Sequence, residues 1–163
     1  DEIAARTGGN LVRTRAGLGS LMRTAAAQPD LLMLGDGVGH FIFPAFHPIA
    51  DGLFAAVKLM ELLTLNDTSL SEVVRQLPPY YMNQTRVPCR WEHKGRIMRM
   101  LNERFQSRGS DQLDGVKINL GNEWVLISPD EDGPYFHIIA ESSSDEKARV
   151  LADKYADLIV DLQ

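Results

Sequence analysis

Gly121 and Asn122 sit at the turn between two strand-like runs, 116–120 and 124–127. A link this short joins only antiparallel neighbours, because a parallel pair needs a crossover of a dozen or more residues. A third run, 135–140, follows behind a loop rich in Pro and Gly. Upstream, residues 85–89 read as a strand. Ile97, Met98, Leu101 and Phe105 give helical spacing over 94–105, and a polar loop is expected at 107–111. Downstream, Ala148, Leu151, Ala152, Tyr155, Leu158 and Ile159 recur at helical spacing from Asp145 to about Leu162, with Ser144 or Asp145 as cap. The order β-α-β-β-β-α predicts a small α+β domain with an antiparallel sheet and its helices on one face.

The first half follows another pattern. Leu11, Val12 and Thr14 suggest a short strand, and 17–27 a helix ended by Gln28 and Pro29. Residues 31–34 read as a buried strand, 35–39 as a Gly-rich turn, and 40–43 as a second strand stopped by Pro44. Asp51 caps a helix to about Leu65 that is apolar on most faces and therefore expected to be buried. Ser69 opens a short helix over 70–76, ended by Pro78 and Pro79. The stretch L-P-P-Y-Y-M-N-Q at 77–84 reads as a stiff connection. Two units are predicted, an incomplete α/β unit over 1–76 and the α+β domain over 80–163.

A net charge of −5 argues against general nucleic-acid binding, which needs clustered positive charge. The longest apolar stretch, 53–65, is interrupted by Lys58 and Glu61 and is far short of the roughly 20 residues that span a bilayer. No membrane partner is expected. A single cysteine, Cys89, precludes an internal disulfide and fits a reducing cytoplasm. No His–Cys grouping has zinc-ligand spacing. The opening D-E-I-A-A-R-T lacks the apolar core of a signal peptide and reads like the interior of an element, so a fragment is expected.

Several stretches, taken in order, carry a resemblance. They are V-R-T-R-A-G at 12–17, G-D-G-V-G-H at 35–40, A-D-G-L-F-A-A at 50–56, D-G-V-K-I at 114–118, W-V-L-I-S-P at 124–129 and Y-F-H-I-I-A-E at 135–141. Together they resemble the third and fourth domains of the α-D-phosphohexomutases, the phosphomannomutase and phosphoglucomutase family. The resemblance implies the end of domain three followed by domain four. It implies further that Gly35, Asp36, Gly37, Val38, Gly39 and His40 correspond to the family's sugar-recognition loop, G-E-x-S-G-H. Asp36 keeps the charge on a shorter stem, and Val38 stands in place of the serine. The turn at 128–137 corresponds to the family's phosphate loop, R-P-S-x-T, with Ser128 in place of the arginine, Asp130 in place of the serine, Asp132 near the threonine and His137 where a second arginine often follows. The family's phosphorylatable serine loop and its magnesium loop, D-G-D-x-D-R, do not occur in these residues. No catalytic or metal-binding residue is therefore expected here, and magnesium belongs to the family's missing domain.

Read physically, the turn is poor at holding phosphate. Guanidinium is the natural fork for that anion, whereas Asp130, Glu131 and Asp132 are all acidic. Two like unit charges about 4 Å apart repel by about 4 kcal/mol at an effective dielectric near 20. The turn also fails as a calcium loop, since Ile139 occupies the position that needs a bidentate glutamate. It reads as a decayed phosphate clamp or a solvated acidic turn, and the loop at 35–40 as a sugar contact or a plain Gly-rich turn. Lys94, Arg96 and Arg99 read as a solvated helix face.

Two functions follow from the resemblance. One is the C-terminal piece of a hexose-phosphate mutase, inactive alone and binding hexose phosphate weakly or not at all. The other is a non-catalytic mutase-like module for assembly or regulation, such as the region fused behind mannose-1-phosphate guanylyltransferases. The missing N-terminal domains of the same chain are the expected partners. An uncovered strand edge and apolar surface in the cut domain also lead to an expectation of self-association, to which a clean monomer in light scattering would be fatal.

Overall fold

The first seventy-seven residues and the remainder differ in how well they bury what they carry. The structure, a computed structural model, describes residues 2–15, 17–105 and 114–163. The expected polar loop at 107–111 lies outside them. The chain divides into two units, Asp1–Leu77 and Pro78–Gln163.

The second unit contains β3 (Tyr81–Pro88), α5 (Trp91–Phe105), β4 (Val116–Leu120), β5 (Glu123–Pro129), β6 (Tyr135–Ser142) and α6 (Asp145–Asp161). Its sheet is antiparallel throughout, in the order β3-β6-β5-β4. Gly121 turns the β4–β5 hairpin at φ 78°, a conformation that glycine adopts without strain. Alternate residues of β6, namely Phe136, Ile138 and Ala140, are fully buried against Ile97 and Leu101 of α5 and Ala152 and Ile159 of α6. Each such isoleucine contributes about 1.5–3 kcal/mol. Ser144 caps α6 by accepting from the Lys147 N–H. The opposite face of the sheet, with Gln84, Arg86, Ser128 and His137, carries no helix among the described residues of this unit.

The first unit contains α1 (Glu2–Thr7), α2 (Leu18–Ala27), β1 (Leu34–Gly35), β2 (Phe41–Ile42), α3 (Gly52–Leu65) and α4 (Leu70–Gln76). Its core is small: Leu21, Ala25, Leu34 and Ile42. Asp51 caps α3, accepting from the Phe54 N–H at 2.8 Å. Ser69 and Glu72 form a reciprocal capping box on α4.

Several expectations need correction. Residues 11–14 form no strand, for no strand of the described residues lies in register with them, and Leu11 and Val12 are exposed. The run 31–34 contributes only Leu34 to β1, and Leu32 is 89% exposed. Likewise β2 is confined to Phe41 and Ile42, because its partner strand offers just two residues. No residue of α3 is buried: Leu53, Met60 and Leu65 are all exposed, since the described residues of this unit offer only two two-residue strands to pack against. The stiff connection at 77–84 ends sooner, because β6 is long enough to pair with every residue from Tyr81 to Pro88. Helix α5 begins at Trp91, three residues before the expected start.

Candidate functional site

Two turns have the same construction. In the first, β1 and β2 are joined through Asp36 to His40. One Asp36 oxygen accepts from the Val38 N–H at 3.1 Å and the His40 N–H at 2.9 Å. The other lies 2.6 Å from His40 Nδ1. Gly39 sits at φ 100°, which closes the loop tightly enough for these bonds. Burial pushes the Asp36 carboxyl up, but the bonds from His40 and Val38 outweigh it and the net direction is down. Val38 projects outward, 82% exposed.

In the second, β5 runs on through Ser128 to Pro129, so Ser128 belongs to a strand and lies opposite His137 of β6. The turn proper begins at Asp130. One Asp130 oxygen accepts from the Asp132 N–H at 2.9 Å and the Gly133 N–H at 2.5 Å, and the other meets His137 Nε2 at 2.6 Å. These bonds, His137 foremost, pull the carboxyl down to about 2. Gln84 Nε2 lies 3.4 Å from His137 Nδ1. Glu131 and Asp132 are exposed.

Lys94 holds the turn from below. Its ammonium donates to the carbonyls of Asp130, at 2.6 Å, and of Gly133, and lies 3.8 Å from the centre of the Trp91 ring. The reading of Lys94 as part of a solvated face was wrong: it is only 7% exposed. The signal was present, since Lys94, Ile97, Leu101 and Phe105 share one face at helical spacing and all are buried. The Cys89 N–H donates to the Pro134 carbonyl at 2.7 Å, and the thiol, pushed up by burial, is inert packing. Three further residues were missed: Gln84, Arg86 and Tyr135. Arg86 is the Cα partner of His137, and its guanidinium stacks over Tyr135 at 5.1 Å. The turn thus satisfies its own donors with Asp130 and its own carbonyls with Lys94. No group of three or more His, Cys, Asp or Glu side chains among the described residues is placed to hold a metal ion. Among the same residues, no helix is long and apolar enough to cross a membrane.

Asp130 also sets a pH dependence. A folded-state value near 2 lies below the ordinary 3.8, so the carboxylate's contribution to stability is present above about pH 4 and is lost as the pH falls towards 2. Asp130→Asn should flatten the dependence of the urea midpoint on pH in that window. Parallel wild-type and variant profiles would show that the carboxylate contributes nothing there.

The sequence matches the family model for phosphoglucomutase/phosphomannomutase, alpha/beta/alpha domain III, over residues 1–81. A probable phosphoglucosamine mutase of Methanopyrus kandleri is 31% identical across 98% of this chain and 35% of its own length. The chain belongs to the phosphoglucomutase/phosphomannomutase family. A phosphoglucomutase/phosphomannomutase of Thermococcus kodakarensis is 30% identical over 91% of the chain and 33% of its own length. The crystal structure of a family protein from Burkholderia thailandensis superposes with a TM-score of 0.79 at 16% identity, over 99% of this chain and 34% of that one. The fold is that of the C-terminal region of the family, and the chain spans about a third of the length of the relatives it matches.

Proposed function

We propose that the chain is the C-terminal part of a hexose-phosphate mutase-like protein of nucleotide-sugar metabolism, with the loop at 35–40 as the counterpart of the family's sugar-recognition loop and the turn at 128–137 as the counterpart of its phosphate loop. The relatives' names supply the substrate class, a glucose, mannose or glucosamine phosphate. The turn carries the rest of the reading. Ser128 stands where a guanidinium would grip phosphate, and the carboxylate of Asp130 is drawn inward onto its own N–H groups. The turn therefore binds hexose phosphate weakly. Catalysis, in this reading, belongs to the family's serine and magnesium loops, which are not among these 163 residues.

A second reading is favoured by the same turn: a mutase-like module that has given up catalysis and serves the assembly or regulation of a sugar-nucleotide transferase. Calorimetric titration of glucose 1-phosphate separates a weakened clamp from a turn with no such history. Ser128→Arg, Asp130→Ser and Asp132→Thr together remove two negative charges and add one positive. They should raise affinity about ten- to a hundredfold, the worth of one or two charge-assisted bonds. No gain in a folded triple variant counts against a phosphate loop at this place. Tight wild-type binding that Asp130→Asn abolishes would overturn the weak-clamp reading outright.

A further inference from the structure

The Tyr135 ring is a hub on the open face of the four-stranded sheet. The His137 ring meets it edge-on at 5.2 Å between centroids, and Arg86 stacks over it at 5.1 Å. Gly133 lies against its edge so closely that an added Cβ would come within 2.2 Å of a ring carbon. The groups around this ring sort into two kinds. The Asp132 N–H, the Gly133 N–H and His137 Nε2 all point at one carboxylate, that of Asp130. Arg86, directly across the β3–β6 pairing from His137, takes no ion-pair partner among the described residues. Stacking on an aromatic ring fixes the plane of a guanidinium while leaving its N–H fork free. Three donors converging on one side-chain anion, beside an uncommitted guanidinium, are the elements of an oxyanion site with an internal occupant.

We propose that Asp130 is a built-in competitor for a phosphate monoester at this turn, and that Arg86, on the neighbouring strand, supplies the cation that the turn itself lacks. The inference rests on the hexose-phosphate reading for its ligand class and adds how the site is regulated. Any incoming phosphate must displace the Asp130 carboxylate from the two N–H groups and the imidazole. With the carboxylate in place the ligand meets occupied donors and a like charge. With the carboxylate gone, the same donors and Arg86 face an open site.

The test titrates inorganic phosphate, then glucose 1-phosphate, into the whole chain while backbone amide signals of Asp132 and Gly133 and the ring signals of His137 are followed by NMR. Wild type should show no saturable shift. Asp130→Ala, checked for a dispersed spectrum, should bind phosphate at least about tenfold more tightly, the worth of one charge-assisted hydrogen bond. Adding Arg86→Gln to that variant should reverse the gain by a similar factor. Should the alanine variant not fold, Asp130→Asn keeps an acceptor for the turn's N–H groups and should show a smaller gain of the same sign. A folded Asp130 variant that binds phosphate no better than wild type overturns the proposal, and a gain indifferent to Arg86→Gln overturns the role of Arg86. Tightened binding of inorganic phosphate with no preference for glucose 1-phosphate would support the competitor while defeating the hexose-phosphate reading, so the two fail separately.

Discussion

Gly115→Ala should cost the four-stranded unit about 3–5 kcal/mol, the sum of a strained backbone and an overpacked contact. The backbone at Gly115 has φ 150°, and a Cβ there would lie 2.2 Å from the Ile127 carbonyl oxygen and 3.0 Å from the Ser128 Cα. Both neighbours are backbone of β5, the strand that pairs with β4 and β6, so neither can swing aside as a side chain would. Relief requires shifting β4 away from β5 at the end where Val116 faces Ile127, and both residues are fully buried. Such a loss is a large share of the 5–15 kcal/mol that holds an ordinary domain together. Gly121, at φ 78° with nothing within 4 Å of its Cβ position, pays only the left-handed penalty of about 1–2 kcal/mol on mutation to alanine. Gly95, in the interior of α5 with open space around it, should gain about 0.5–1 kcal/mol. Urea midpoints of the three variants by circular dichroism check the ranking, and a Gly115→Ala protein no less stable than Gly121→Ala would sink it.

Lys94→Met should be the second most damaging change, by about 2–4 kcal/mol, because two carbonyls at a partly buried turn lose their donor. Methionine keeps most of the apolar stem that packs in α5 but supplies nothing to the Asp130 and Gly133 carbonyls. The contact of the ammonium with the Trp91 ring is lost with it. Arg99→Met, on the exposed face of the same helix, should fall within about 0.5 kcal/mol of wild type. Equal midpoints for Lys94→Met and Arg99→Met would show that the turn is held by something other than the lysine.

The sequence was most legible where structure is local. The β4–β5 hairpin followed from Gly121 and Asn122, and the caps at Asp51, Ser69 and Ser144 from a polar residue ahead of an apolar helical period. Strand length was less legible, because it depends on the neighbouring strand: β3 gained Tyr81 to Gln84 from β6, while 11–14 join no strand. The exposure of α3 was hidden for a related reason. An apolar face states a need for cover, not its presence. At the site, the charges of Asp130 and Asp132 were legible and their difference was not. Asp130 bonds inward to a histidine seven residues away, and Asp132 lends only its N–H. Arg86 escaped notice because its relation to His137 exists only in the β3–β6 register.

Both tryptophans of the chain, Trp91 and Trp124, belong to the second unit, and each has a lysine ammonium over its ring, Lys94 at 3.8 Å and Lys117 at 4.3 Å. Intrinsic indole emission is therefore blind to the first unit and reads the second alone. Because the ammonium over Trp91 is the one that grips the 130–133 turn, any rearrangement of that turn also changes the charge beside an exposed indole. Trp91 is a reporter already in place, and ligand binding or release at the turn becomes visible as a change in emission without any label.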